Sequence, residues 1–179
     1  MTRLQSTQSN APEDLATPNF SLRVLVANET DAVVDATRIE TAVRLAFAGS
    51  PYQTAEISVA IVDDEIIHQL NRQFLDHDYP TDVLSFALDD DPPRLEGEIV
   101  VSVDTAGRCA VEAGWSPASE LLLYVVHGAL HLAGFSDKDP QDALEMRAAE
   151  ARLLAQLGVA VSPGDSRWHP RGTNEGPSP

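Results

Sequence analysis

The chain holds one cysteine, Cys109, and one lysine, Lys138. A single thiol excludes an internal disulfide framework and any zinc site built on cysteines, and it suits a reducing compartment. Basic residues are scarce throughout: 12 Lys+Arg stand against 28 Asp+Glu in 179 residues, a formal net charge of -16. That balance excludes a broad basic face for nonspecific nucleic-acid binding, and also electrostatic docking on anionic lipid. No apolar run reaches the roughly 18 residues of a membrane span. The opening segment is polar and lacks the apolar stretch of a secretory signal, so the default location is the cytoplasm. No internal repeat is present. What the chain does have is 43% hydrophobic residues, enough for one domain with a sizeable core and too many for a wholly disordered polymer.

The pattern divides the chain into a polar N-terminal tail (1–18), a domain (19–158) and a Pro/Gly/Ser-rich C-terminal tail (159–179), both tails expected to be disordered. Within the domain, period-2 alternation predicts strands over Phe20 to Val26, Glu56 to Val62, Asp82 to Leu88 and Glu98 to Val103. An acidic loop, Asp89-Asp90-Asp91-Pro92-Pro93, separates the last two. Helical spacing predicts five helices: Asp35 to Ala48, Glu65 to Leu75, Asp104 to Ala113, Pro117 to Ala133 and Pro140 to Leu157. Capping residues mark their ends, with Ser116-Pro117 opening the fourth and Gly134 closing it. Strands grouped early and helices late imply an α+β domain, a small mostly four-stranded sheet packed with about five helices.

The fourth helix carries the chemistry. His127 and His131 lie four residues apart, roughly 6 Å along the axis and on one face, a spacing that suits two imidazoles on one metal. In an apolar helix two histidines need partners: either hydrogen-bonding neighbours in the core or an ion. Gly134 lets the chain turn back, so Asp137 can return as a third ligand. Ser136, Asp139 and the tail residue His169 are the other donors within reach. Three protein ligands and an open position describe a catalytic zinc site. The residue after His127 is Gly128, where an H-E-x-x-H peptidase has its glutamate base. Glu120, two turns before His127, is placed to orient a ligand histidine or to favour the helix N-terminus.

The run His127-Gly128-Ala129-Leu130-His131-Leu132-Ala133-Gly134-Phe135 resembles the signature of the YbeY family of bacterial metal-dependent endoribonucleases. Two further blocks match in order: NRQFLDHDYPTDVLSF from Asn71 to Phe86, and LEGEIVVS from Leu95 to Ser102 followed by Asp104-Thr105-Ala106. The similarity spans roughly residues 20 to 158. It implies an α+β fold with a zincin-like metal-binding helix, one Zn2+ bound by three side chains, and cleavage of single-stranded RNA. It also implies a role in maturing the 3′ end of small-subunit rRNA and in ribosome quality control. The implied partners are rRNA precursor and the small ribosomal subunit or its assembly factors, with no DNA and no membrane.

The chain departs from the family pattern at two points. The third ligand position is Asp137 rather than histidine, which makes Mn2+ or Mg2+ more plausible than at a three-histidine site and leaves water at the ion less acidified. Leu75 stands where many members have an arginine directed at RNA phosphate. Arg72, three residues earlier on the same side of the helix, is the replacement expected to act in catalysis with His127 and His131. His77, Asp78 and Ser85 either face the cleft or shape the turn and strand, and Asp82 is a turn residue or a partner to a ligand. Two other classes stay open: a zinc metallohydrolase acting on peptides, and a non-catalytic ribosome-assembly factor. The tails hold few of the charges, so the acidity belongs to the domain and predicts weak binding to free RNA.

Overall fold

The computed structural model describes residues 20–161. The expected tail over 1–18, the chain beyond 161 and His169 lie outside the described residues.

Four strands form one mixed sheet in the order β1-β2-β4-β3. They are β1 (Ser21–Asn28), β2 (Thr54–Val62), β3 (Val83–Asp91) and β4 (Arg94–Ser102). β1, β2 and β4 run parallel, and β3 is antiparallel to β4. The helices are α1 (Ala36–Ala46), α2 (Asp64–Leu75), α3 (Val103–Ala113), α4 (Pro117–Leu132) and α5 (Pro140–Gln156). This is the α+β architecture expected, and among the described residues no helix is long and apolar enough to cross a membrane.

Alternation along β2 and β4 assigns the two faces of the sheet. Ala55, Ile57, Val59 and Ile61, with Leu95, Ile99 and Val101, belong to the main core with α1, α4 and α5. Val62, Val100 and Leu84 meet Ile67 of α2 in a smaller cluster. The helix starts follow their caps: Asp63, Ser102, Ser116 and Asp139 each accept a first-turn backbone N–H through the side chain. Helix α4 is buried nearly all round, as expected of a helix that packs on both the sheet and other helices.

The close seating of α4 rests on two glycines. A Cβ at Gly97 would lie 2.9 Å from Leu132 Cδ1, and one at Gly128 would lie 3.0 Å from Ile99 Cγ2 and 3.1 Å from Val83 Cγ2.

Several boundaries differ from the sequence reading, β4 beginning at Arg94 rather than Glu98 among them, and two have a clear physical reason. Asp89, Asp90 and Asp91 are not loop but the end of β3, opposite Glu96, Leu95 and Arg94 beyond an irregularity at Ala87/Asp89. A hairpin ladder continues as long as its backbone can pair. The carboxylates are tolerated there because they are exposed, and Asp90 accepts a hydrogen bond from Tyr52 Oη at 3.0 Å. Val103, read as strand, opens α3 because Ser102 caps it and receives the Thr105 N–H.

Candidate metal centre

α4 ends at Leu132 with Ala133 as its C-cap, and Gly134 adopts φ 105°, a conformation open to glycine at little cost. The backbone N–H of Phe135 then returns to Leu130 O at 2.9 Å and that of Gly134 to His131 O at 3.1 Å. This reversal carries Asp137 back over the two histidines. Its Oδ2 lies 3.9 Å from His127 Nε2 and 3.7 Å from His131 Nε2, while the two Nε2 atoms are 3.0 Å apart. His127, His131 and Asp137 are the residues that could hold a metal ion among those described.

The protonation pattern shows what this cluster is built for. His127 Nδ1 lies 2.6 Å from Glu150 Oε1, and His131 Nδ1 lies 3.2 Å from Phe135 O. Both partners are acceptors, so each Nδ1 carries the hydrogen, and each neutral ring presents a lone pair at Nε2. Two lone pairs facing each other at 3.0 Å, with a carboxylate oxygen beside them, repel unless a cation lies between. The point equidistant from the three donors lies about 2.1 Å from each, within the bond lengths that zinc takes to imidazole nitrogen and carboxylate oxygen. The donor set therefore fits a divalent ion, and the side chains of His127, His131 and Asp137 remain 31%, 28% and 48% exposed, so the site is open to solvent.

Without metal, the pair manages the repulsion with a proton. Burial disfavours charge on His127, but the hydrogen bond and charge of Glu150, helped by Asp137 and Asp82, outweigh it and raise its pKa. Burial and the neighbouring positive charge of His127 lower the pKa of His131, against the pull of Asp137, Phe135 O and Glu150.

Glu150 is the residue that sequence reasoning missed. It is 5% exposed on α5 and takes the orienting role considered for Glu120, which is buried in the first turn of α4. A signal existed: Glu150 sits four residues after Met146 and four before Leu154, within the buried stripe of α5, where an unpaired carboxylate is costly.

Gly128 also has its explanation. A Cβ here would point at the sheet and crowd the Ile99 and Val83 methyl groups, which would have to give by a few tenths of an ångström, so a glutamate at this position would start out directed at the sheet.

The other candidates are not among the three convergent donors. Arg72 is 63% exposed in the last turn of α2, and its nearest acid is Asp78 at 4.0 Å. Leu75 is 49% exposed. Asp78 also meets His68 Nε2 at 2.8 Å. Asp82 acts as both turn residue and electrostatic neighbour. Its Oδ1 accepts from Val83 N–H at 2.8 Å and Thr81 Oγ1 at 2.9 Å, and its charge reaches His127. Ser85 stands opposite Ile99 in the β3–β4 ladder.

Comparison with known proteins shows what the chain is similar to. The family model described as "Endoribonuclease YbeY" matches residues 25–158. An "Endoribonuclease YbeY" from Rhodopirellula baltica is 48% identical over 107 residues, covering 59% of this chain and 55% of that relative. One from Roseiflexus castenholzii is 42% identical over 147 residues, covering 76% of this chain and 92% of the relative. Among solved structures, the solution structure of TM1509 from Thermotoga maritima is similar at TM-score 0.53 and 28% identity, over 76% of this chain and 88% of that one.

Proposed function

The chain belongs to the YbeY family, and on that premise we propose that it is a metal-dependent endoribonuclease that cleaves single-stranded RNA. The observation that carries the reading is the pair of Nε2 lone pairs at 3.0 Å beside Asp137, a cluster completed by an ion and open on its outer side. His127, His131 and Asp137 hold the ion, which we take to be Zn2+ because two imidazoles and one carboxylate around an open position suit it. When bound, it supplies Lewis-acid polarisation of a phosphoryl oxygen and acidification of water.

The chain's own residues prepare that chemistry. Glu150 and the Phe135 carbonyl fix both rings with Nε2 directed at the ion, and Glu150 makes His127 the more basic donor. Arg72, exposed and held only at 4.0 Å from Asp78, takes the phosphate contact that Leu75 cannot make. The substrate in this reading is precursor rRNA of the small subunit, with ribosomal or assembly partners compensating for the acidic surface.

The test is cleavage of an rRNA fragment containing unpaired segments by zinc-loaded protein, EDTA-treated protein and the His131→Ala variant, with metal content measured alongside. Cleavage and zinc are expected to be lost together in His131→Ala, and Arg72→Ala should lose rate while keeping zinc. Activity that survives His131→Ala refutes the metal mechanism.

A further inference from the structure

The loop between α2 and β3 carries a second constellation. The rings of His77 and Tyr79 stack with centroids 5.4 Å apart and planes 12° from parallel. Both are exposed, Tyr79 to 55%. Beside them, Phe74 is 57% exposed and rests on Phe86, and Arg72 and His68 converge on Asp78. Two large, parallel, solvent-facing rings are unusual on a surface with so few aromatic residues (6% of the chain).

The backbone beneath them is held from inside. Asn71, 1% exposed on α2, accepts the His77 N–H at its carbonyl (3.3 Å) and donates Nδ2 to Tyr79 O (2.8 Å). Asp76 turns the chain with φ 57°. The ring pair is thus held on a fixed frame before any ligand arrives, which lowers the entropy lost on binding.

The loop also leads to the metal centre. Three residues beyond Tyr79, Asp82 acts on His127, and Val83 lies against Gly128, next to His127. The Cα atoms of Tyr79 and Asp82 are separated by at most about 11 Å, so the ring pair stands on the same short stretch of chain as a residue whose charge acts on His127.

We propose that His77 and Tyr79 form a stacking platform for an unpaired base of the RNA strand whose phosphate lies at the metal centre. This rests on the nuclease reading above and adds how the strand is held. A chain of net charge -16 with a single lysine has little means of gaining affinity from phosphates, which dominate ordinary nucleic-acid binding. Stacking on aromatic rings supplies affinity without basic charge and without sequence preference. The ribose-phosphate backbone then passes Arg72 and reaches the ion.

The test measures binding of an uncleaved 2′-O-methyl oligoadenylate to zinc-loaded, full-length protein by fluorescence anisotropy. Tyr79→Ala is expected to weaken binding about ten-fold, and Tyr79→Phe to restore it. Replacing the bases by abasic sites should weaken wild-type binding and abolish the difference between wild type and Tyr79→Ala. Among the described residues Tyr79 contributes its backbone carbonyl alone to the hydrogen bonds, so the variants are expected to fold, which a melting curve checks. Unchanged affinity in Tyr79→Ala, or an equal loss with the abasic oligomer, overturns the platform. Cleavage by the wild type is scored separately: active wild type with an indifferent Tyr79→Ala refutes the platform alone, and inactive zinc-loaded wild type refutes the nuclease reading.

Discussion

The molecule contains two polar clusters that tie helices together, and they are finished to different degrees. At the junction of α2 and α3, Asp64 accepts hydrogen bonds from Ser102 Oγ at 2.6 Å, from Thr105 Oγ1 at 2.8 Å and from the Arg108 guanidinium. Arg108 in turn donates to Thr105 Oγ1, and Asp64 N–H donates to Asp104 Oδ2. Asp64 there has its opposite partner in Arg108, and the Ser102 and Thr105 hydroxyls both have acceptors. At the junction of α4 and α5, Glu150 and Phe135 satisfy the Nδ1 atoms, yet three candidate metal donors converge on one point, and among the described residues no arginine or lysine pairs with them. A closed network is what stability requires. A cluster that satisfies its outer atoms and leaves its inner lone pairs convergent is arranged for a ligand.

The largest expected effect sharpens this contrast from the metal side. Glu150→Gln keeps an acceptor for His127 but removes the charge that makes the imidazole a strong donor. Zinc affinity at pH 8 should fall by about 10- to 100-fold, read by competition with a chelating dye, with little change in melting temperature measured without metal. The wild type has a matching pH dependence. Because the His127 pKa is raised above 6.5, its proton competes with metal as pH falls, so zinc affinity should begin to drop above pH 6.5. An affinity independent of pH between 8 and 6 breaks the assignment.

From the other side, Asp64→Asn should reduce folding stability by about 1–3 kcal/mol and leave zinc affinity unchanged. Burial alone would raise the Asp64 pKa, but hydrogen bonds from Ser102, Arg108 and Thr105, with the charge of Arg108, hold it below 3.8. A depressed carboxylate stabilises the fold at pH values above its unfolded pKa and loses that contribution as pH falls through its folded value. Denaturant titrations should therefore show wild type and Asp64→Asn differing at pH 7 and converging below pH 3.8. Loss of zinc affinity in this variant would show that the two clusters are not independent.

The smallest effect concerns the third ligand. Asp137→His replaces a charged donor by a neutral one, raising the net charge of the occupied site by one and favouring deprotonation of water there. The pH profile of RNA cleavage should move to lower pH with zinc content preserved. An unchanged or more alkaline profile argues that Asp137 is not a ligand.

Legibility in the sequence followed the range of the interactions. The i, i+4 histidines, the Ser116-Pro117 start and the Gly134 stop are local, so α4 and its facing imidazoles could be read directly. The return of Asp137 was legible for the same reason, since only the Gly134 reversal and a short loop lie between it and His131. Glu150 is 23 residues from His127, and only the packing of α5 on α4 joins them. The acidic run Asp89 to Asp91 was misread because composition marks it as loop, whereas cross-strand pairing with β4 keeps it extended. The pairing of His77 with Tyr79 needed the buried Asn71 to hold both backbones in one turn.

By itself, then, the sequence determined the helices, their caps, the metal-donor types and the acidic surface, because these depend on propensity, spacing and composition within a few turns of chain. Only the tertiary structure decided which carboxylate supports His127, what crowds position 128, and that His77 and Tyr79 stack as one exposed pair. Those outcomes depend on contacts between elements distant in the chain, where burial makes every unpaired charge costly and every Cβ compete for space.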